Sequence, residues 1–200
     1  MTADRLVLWR HGETDWNRSG QFQGQTNIPL NDRGTAQAKD AAPFVAEYAP
    51  SAIWSSDSLR ARQTAAALEA LTGLETQQDQ RLREIDVGTW AGLSIADVVA
   101  GDPAFGEAMR GERDYRRSPT GETCADVQHR IGPALQEIIG QEVGTVVVTG
   151  HGLALRLGIA SLLGWDLATA FSVGPLTNAG WSVLTLRAGR WRLATHNWSV

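Results

Sequence analysis

One cysteine, Cys124, stands in a chain of 200 residues. That excludes an internal disulfide framework, and no paired Cys/His spacing of the kind used by structural zinc sites accompanies it. A reducing compartment fits this scarcity. No apolar run approaches the ~20 residues a membrane helix needs. The chain passes from Met1 through Asp4 and Arg5 straight into a short apolar strand, which does not read as a signal peptide. The expectation is a cytoplasmic protein with no membrane partner. Basic charge is not in excess either. Eighteen Lys and Arg against 22 Asp and Glu give a net charge of −4 and a pI near 5.5, which argues against nucleic acid as a partner. Repeats and disordered linkers are missing. What remains is an ordinary composition, 42% hydrophobic, with length enough for one domain over residues 1–200 and a sizeable core.

What is present starts at Leu6-Val7-Leu8-Trp9-Arg10-His11-Gly12-Glu13-Thr14-Asp15-Trp16-Asn17. An apolar run that reads as a buried strand stops in Arg-His-Gly. A cation and an imidazole are thereby delivered at the carboxyl end of a strand, where open α/β sheets bind ligands, beside a glycine that lets the backbone turn closely. Arg10, Asn17 and the backbone N–H groups of the turn are donors crowded around one histidine, which suits a phosphoryl group passing through that histidine. A second β-branched strand, Gly144-Thr145-Val146-Val147-Val148-Thr149, ends in Gly150-His151-Gly152, with Leu153 onward opening a helix. Histidines at matching strand ends are poorly explained as core packing. His129, on a long helix, and His196, in the C-terminal strand, read as structural or exposed.

Between these strands Gln21 to Thr26 is polar around Gly24 and suits a loop folding over a ligand. Gln23 fits a pocket wall or a solvated turn equally well. Asn31 or Asp32 can cap a helix starting near residue 32, in which Pro43 is a kink or an end. Ala52 to Ser56 reads as a strand followed by a helix to about Leu71, with Arg60 in its first turn on the face of Thr64. Arg60 and Arg62 are by residue type ordinary solvated arginines. Thr76 to Gln80 suits an edge strand. Residues 94–117 hold two short helical patches and the basic stretch Arg110 to Arg117, a ligand-binding cluster or a solvated edge. A long helix follows to about Gly140, with Val127, Ile131, Leu135 and Ile138 on one stripe. The tail reads as an antiparallel hairpin turning at Arg187-Ala188-Gly189. Most of the eight tryptophans are expected in the core or on the pocket wall.

The string from Leu8 to Thr14, with Asn17, resembles the signature of the histidine phosphatase superfamily, the phosphoglycerate mutase-like proteins. So do Ser55-Ser56 through Arg60-Ala61 and Thr64-Ala65, Leu82-Arg83-Glu84 with Gly88 and Gly92, Gly121-Glu122-Thr123 through Arg130, and Gly150-His151-Gly152. The resemblance implies a three-layer α/β sandwich, a mostly parallel sheet with helices on both faces, and a lid-like insertion at 93–120. It also implies a metal-independent phosphomonoesterase acting on a small phosphorylated substrate, with no cofactor. His11 would be the nucleophile. Arg10, Arg60 and His151 would hold the phosphoryl oxygens, and Glu84, rather than the neighbouring Asp86, would be the proton donor. Asn17, Gln23, Gly24 and Leu153 would complete the substrate site. Glu84 must then be protonated at working pH, which burial or nearby phosphate can achieve.

Cys124 and Arg130 match the Cys-x5-Arg spacing of cysteine-dependent phosphatases. No strand precedes this cysteine and no glycine lies between the pair, so no backbone cradle can form around a thiolate. Within the family, Asn178-Ala179-Gly180-Trp181 and Trp191-Arg192-Leu193 look similar to segments of glucosyl-3-phosphoglycerate phosphatases. The α-ribazole phosphatases and the cofactor-dependent mutases stay open as alternatives, as does a homodimer.

Overall fold

The computed structural model describes residues 2–200. One six-stranded sheet runs through the molecule, built from β1 (Ala3–Arg10), β2 (Pro50–Ser55), β3 (Thr76–Gln78), β4 (Gly144–Gly150), β5 (Trp181–Arg187) and β6 (Arg190–Trp198). Their spatial order is β3-β2-β4-β1-β5-β6. The first four are parallel, and β5 and β6 close one edge antiparallel. Around the sheet lie α1 (Asp15–Arg18), α2 (Asp32–Ala46), α3 (Leu59–Thr72), α4 (Ile95–Gly101), α5 (Pro103–Arg110), α6 (Cys124–Gln141), α7 (Gly152–Leu163) and α8 (Leu167–Ser172). None of these helices is long and apolar enough to cross a membrane.

The side-chain period of two in a strand explains the layering. Leu6 and Leu8 of β1, with Val146 and Val148 of β4, point to a core shared with Ile131 and Leu135 of α6 and Leu155 of α7. The alternate residues, Val7, Trp9 and Val147, point to a second core with Ala41 and Val45 of α2 and Leu68 of α3. A strand buried on both faces must be apolar throughout, which is why β1 and β4 read as unbroken hydrophobic runs. The expected three-layer sandwich is what the chain forms.

Local chemistry moved some boundaries. Helix α2 begins beyond Asn31, whose Oδ1 accepts the Gly34 N–H at 2.8 Å. It runs three residues past Pro43, which sits in the last turn. Helix α6 likewise continues through Pro133, held by buried neighbours on both sides. Strand β3 stops at Gln78 because the Asp79 carboxylate accepts the Arg81 N–H and starts a short 3-10 turn over Gln80–Leu82. Among the tryptophans, Trp9, Trp90 and Trp181 are buried, whereas Trp198 is exposed.

Register then places the chemistry. Pairing sets Arg10 opposite Gly150, so His11 and His151 leave neighbouring parallel strands side by side. The ladder continues one step further through His11 N–H to the Gly150 carbonyl at 3.0 Å and Ser56 N–H to the Thr149 carbonyl at 3.0 Å. The turn after His11 is pinned to the first turn of α2 backbone against backbone. A Cβ on Gly12 would strike the Gly34 carbonyl, and a Cβ on Gly34 would strike the Glu13 carbonyl.

Gly34→Ala therefore forces rigid backbone apart, since neither partner atom belongs to a flexible side chain. Overpacking of this kind costs about 1–3 kcal/mol, or roughly 2–4 °C in Tm for each kcal/mol in a chain of this size. Thermal melts of the variant are expected to show that loss. A Tm equal to the wild type would mean that the contact yields more easily than its geometry indicates.

Candidate active site

His11 leaves β1 almost fully buried, with 3% exposure. Its Nδ1 lies 2.7 Å from the carbonyl oxygen of Gly12. A carbonyl can only accept, so Nδ1 carries the hydrogen and the lone pair resides on Nε2. Burial, then the charges of Arg60 and Arg10, hold His11 well below the usual histidine pKa. The ring is thus a neutral imidazole with its basic nitrogen directed away from the turn. His151 packs edge-on against it with centroids 5.2 Å apart. Its Nε2 is 2.9 Å from Ser56 Oγ, and its Nδ1 is buried without a partner. Burial, Arg60, His11 and Arg10 depress its pKa in that order of importance.

Arg60 is the largest surprise for its residue type, at 1% exposure. It donates from Nη1 to the Thr26 carbonyl and from Nη2 to the Gly24 carbonyl, both at 2.7 Å. The 21–27 loop is thereby folded against it, with Gly24 at φ +51° close to Val87. Thr64, one turn on, accepts the Gly12 N–H at 3.2 Å, so the Arg60 and Thr64 face is the one that meets the His11 turn. Arg62 is exposed, as an arginine solvating a helix usually is. Arg10 donates from Nη1 to the Leu176 carbonyl. Both guanidiniums keep a buried Nε with no partner. Burial lowers the pKa of Arg60 to about 10, with Glu84 opposing and Arg10 reinforcing the shift.

Glu84 faces these cations. Its Oε1 accepts the N–H groups of Ile85 at 2.9 Å and Ala154 at 3.0 Å, and its Oε2 accepts that of Leu153 at 3.2 Å. The carboxyl therefore sits on the free N–H groups at the start of α7, which favour negative charge. Asp86, the competing carboxylate, turns away to accept the Gly88 N–H at 2.8 Å.

Arg10, His11, Asn17, Gln23, Gly24, Arg60, Glu84 and Leu153 all border one cleft of about 310 Å³. His151 does not border it but supports His11 from within. Phe105, Met109 and Arg117 form the opposite wall. The cradle holds two cations, Arg60 buried and Arg10 half-buried, against one carboxylate, so it suits a small anion. A metal cation at either imidazole would meet the repulsion of Arg10 and Arg60.

Three positioning residues were not singled out by sequence reasoning. Arg130 donates to the carbonyls of Arg81, Arg83 and Glu84 at 2.7–2.9 Å while paired with Glu122 at 2.8 Å, which fixes the backbone that carries Glu84. Asn178 Nδ2 reaches the His11 carbonyl and Asn17 Oδ1, both at 3.2 Å. Asn17 Oδ1 also accepts the Thr14 N–H at 3.1 Å, so the Asn17 amide presents its Nδ2 to the cleft. Ser56 sets the orientation of His151. Arg130, Ser56 and Asn178 all lay inside recognised segments without an assigned role. Cys124 opens α6, buried away from the cleft, with its thiol pushed up to about 12 by burial. It is no nucleophile.

Comparison with known proteins shows a family likeness over nearly the whole chain. The family model described as the histidine phosphatase superfamily (branch 1) matches residues 6–199. The glucosyl-3-phosphoglycerate phosphatase of Mycobacterium tuberculosis is 35% identical over 218 aligned positions, covering 100% of this chain and 97% of that protein. Phosphoserine phosphatase 1 of Hydrogenobacter thermophilus is 32% identical, covering 93% and 88%. Among solved structures, the complex of a mycobacterial glucosyl-3-phosphoglycerate phosphatase with VO3 superposes with a TM-score of 0.90 at 36% identity, covering 98% of this chain and 100% of that one.

The two buried imidazoles also tie stability to acidity. Their folded pKa values lie below the ordinary ~6.5, so below that pH the unfolded chain binds protons that the folded one refuses. Stability then falls with falling pH, by about 1.4 kcal/mol per pH unit for each histidine until its folded pKa is reached. Melts between pH 7 and pH 5 are expected to show the decline, and His151→Asn should make it shallower. An equally steep decline in the variant would assign the acid sensitivity to other groups.

Proposed function

We propose that this chain, which belongs to the histidine phosphatase superfamily (branch 1), is a cytoplasmic phosphomonoesterase that works through a phosphohistidine on a small phosphorylated metabolite. Glucosyl-3-phosphoglycerate or a related phosphoglycerate is the substrate put forward. The observation that carries the reading is the His11 ring: Nδ1 is committed to the Gly12 carbonyl, and Nε2 keeps its lone pair beside the buried guanidinium of Arg60 and the half-buried one of Arg10. Relatives that match the chain over nearly its whole length and carry phosphatase names support hydrolysis as the outcome.

In this reading the phosphoryl group seats between Arg10 and Arg60, with Asn17 and Gln23 as further donors, while His151, which does not border the cleft, supports the His11 ring from within. His11 Nε2 attacks phosphorus in line, and the P–O bond to the alcohol breaks. The Glu84 carboxyl gives its proton to the departing oxygen. Water then attacks the phosphohistidine, Glu84 takes the proton back, and the P–N bond breaks to release phosphate and the free imidazole. Preorganised donors do the charge stabilisation, and removing one such donor costs about 10²–10³ in rate.

His11→Ala is expected to abolish phosphate release, Arg60→Ala to lower kcat by about 10² or more, and Arg62→Ala and Cys124→Ser to leave it nearly intact. Equal losses at Arg60 and Arg62 would contradict the assignment of the buried face. A mutase reading has one observation in its favour, since Arg117 on the cleft wall could grip a second anionic group. Supplying 3-phosphoglycerate with and without 2,3-bisphosphoglycerate separates the two. Free phosphate with a slow change in isomer ratio is expected, and rapid isomerisation with little phosphate released would establish the mutase.

A further inference from the structure

Behind the wall formed by Phe105, Met109 and Arg117 lies a second cavity of about 210 Å³. These three side chains border both spaces. Phe105 is a fixed post, buried among Trp90, Phe22 and Tyr115 with ring centroids 4.8–5.9 Å away. Met109 is half exposed, and an unbranched thioether is readily displaced, so the partition can open along its edge. Together the two spaces fall within the ~300–1,000 Å³ usual for a small-molecule site.

The far side of this cavity differs in chemistry from the phosphoryl cradle. Arg113 is exposed at its rim and makes no side-chain hydrogen bond or ion pair among the described residues. Arg117 lies over the Phe105 ring at 5.3 Å and donates to the Tyr115 carbonyl. Arg156 lies 4.9 Å over the Phe171 ring. It donates from Nε and Nη2 to the carbonyls of Ala170 and Phe171, which leaves Nη1 free. Glu112 is the one carboxylate bordering the cavity. Tyr115 has its hydroxyl committed to Asp102 at 2.8 Å and offers the space only its ring. Three guanidiniums against one carboxylate favour an anionic group. The Phe171 and Tyr115 rings, with Glu112 and Arg156 Nη1 alongside, offer flat apolar faces next to both an acceptor and a donor. That combination suits a hydroxyl-rich ring.

We propose that this cavity is the subsite for the leaving alcohol and selects alcohols that carry a carboxylate and a polyhydroxylated extension. The carboxylate pairs with Arg117 and Arg113, and the extension lies on Phe171 within reach of Glu112 and Arg156. The inference rests on the phosphatase reading, because it takes the phosphoryl end of the same molecule to be seated at His11. Arg116, which belongs to the same basic stretch, is not part of the subsite. It is turned outward to Asp126 at 3.2 Å and the Gly121 carbonyl at 2.6 Å.

The test compares phosphate release from glucosyl-3-phosphoglycerate, 3-phosphoglycerate, glycerol 3-phosphate and p-nitrophenyl phosphate by the wild type, Arg113→Ala, Arg117→Gln and Phe171→Ala. The wild type should prefer the carboxylate-bearing esters. In Arg113→Ala and Arg117→Gln the kcat/KM ratio of 3-phosphoglycerate to glycerol 3-phosphate should fall about tenfold, the scale of one charge-assisted hydrogen bond. Phe171→Ala should instead erode the preference for the glucosylated ester over 3-phosphoglycerate. Arg113→Ala removes an exposed side chain that makes no hydrogen bond or ion pair among the described residues, so its result stands even if Arg117→Gln fails to fold. Ratios unchanged in every folded variant, or equal losses on all four esters, would overturn the subsite while leaving the phosphatase intact. Release from none of the esters by the wild type would overturn the phosphatase reading and the subsite with it.

Discussion

A buried guanidinium must find acceptors, and the way Arg60 finds them organises this molecule. Its donors go to the main-chain carbonyls of Gly24 and Thr26 rather than to a carboxylate. Carbonyls satisfy its hydrogens without cancelling its charge, so the cleft retains positive potential that a salt bridge would have extinguished. The same bonds fold the 21–27 loop over the site and bring Gln23 to its wall. Arg10 follows the same logic at the Leu176 carbonyl. The loop position descends from this choice of partner, and the retained Arg60 charge adds to burial in keeping both histidines neutral.

Strand ends were the legible part of the sequence. A buried parallel strand has to be apolar along its length, so the residue where polarity returns marks the sheet's carboxyl edge. His11, His151 and the Ser55-Ser56 pair announce themselves in that way. The parallel register of β1 with β4 then does the rest, because two strands cut to matching ends must bring their next residues together. Glu84 was legible only by resemblance. Its surroundings are irregular backbone with no period to read, and its selection over Asp86 depends on α7 arriving from 70 residues away.

Other parts were hidden for a common physical reason: they are made by contacts between segments that are distant in sequence and individually unremarkable. Asn178 meets the His11 carbonyl across 167 residues. Arg130 gathers three carbonyls that no local pattern ties to it. Helix α6 survives Pro133 because its buried stripe binds the sheet on either side of the break. The basic stretch from Arg110 to Arg117 looked uniform in sequence, yet the fold divides it. Arg116 is spent on Asp126 and Gly121, and Arg117 is turned toward the cleft.

The bond from His11 Nδ1 to the Gly12 carbonyl has a stereochemical corollary. Imidazole offers two sites for phosphorylation, and the pros and tele isomers differ in lability and in their phosphorus and proton resonances. In the proposed mechanism, with one nitrogen committed to its own backbone, the ring has a single address for the phosphoryl group, the tele nitrogen. A trapped covalent form would thus be one regioisomer rather than a mixture, with the retained N–H still anchored to the carbonyl that fixed the ring beforehand.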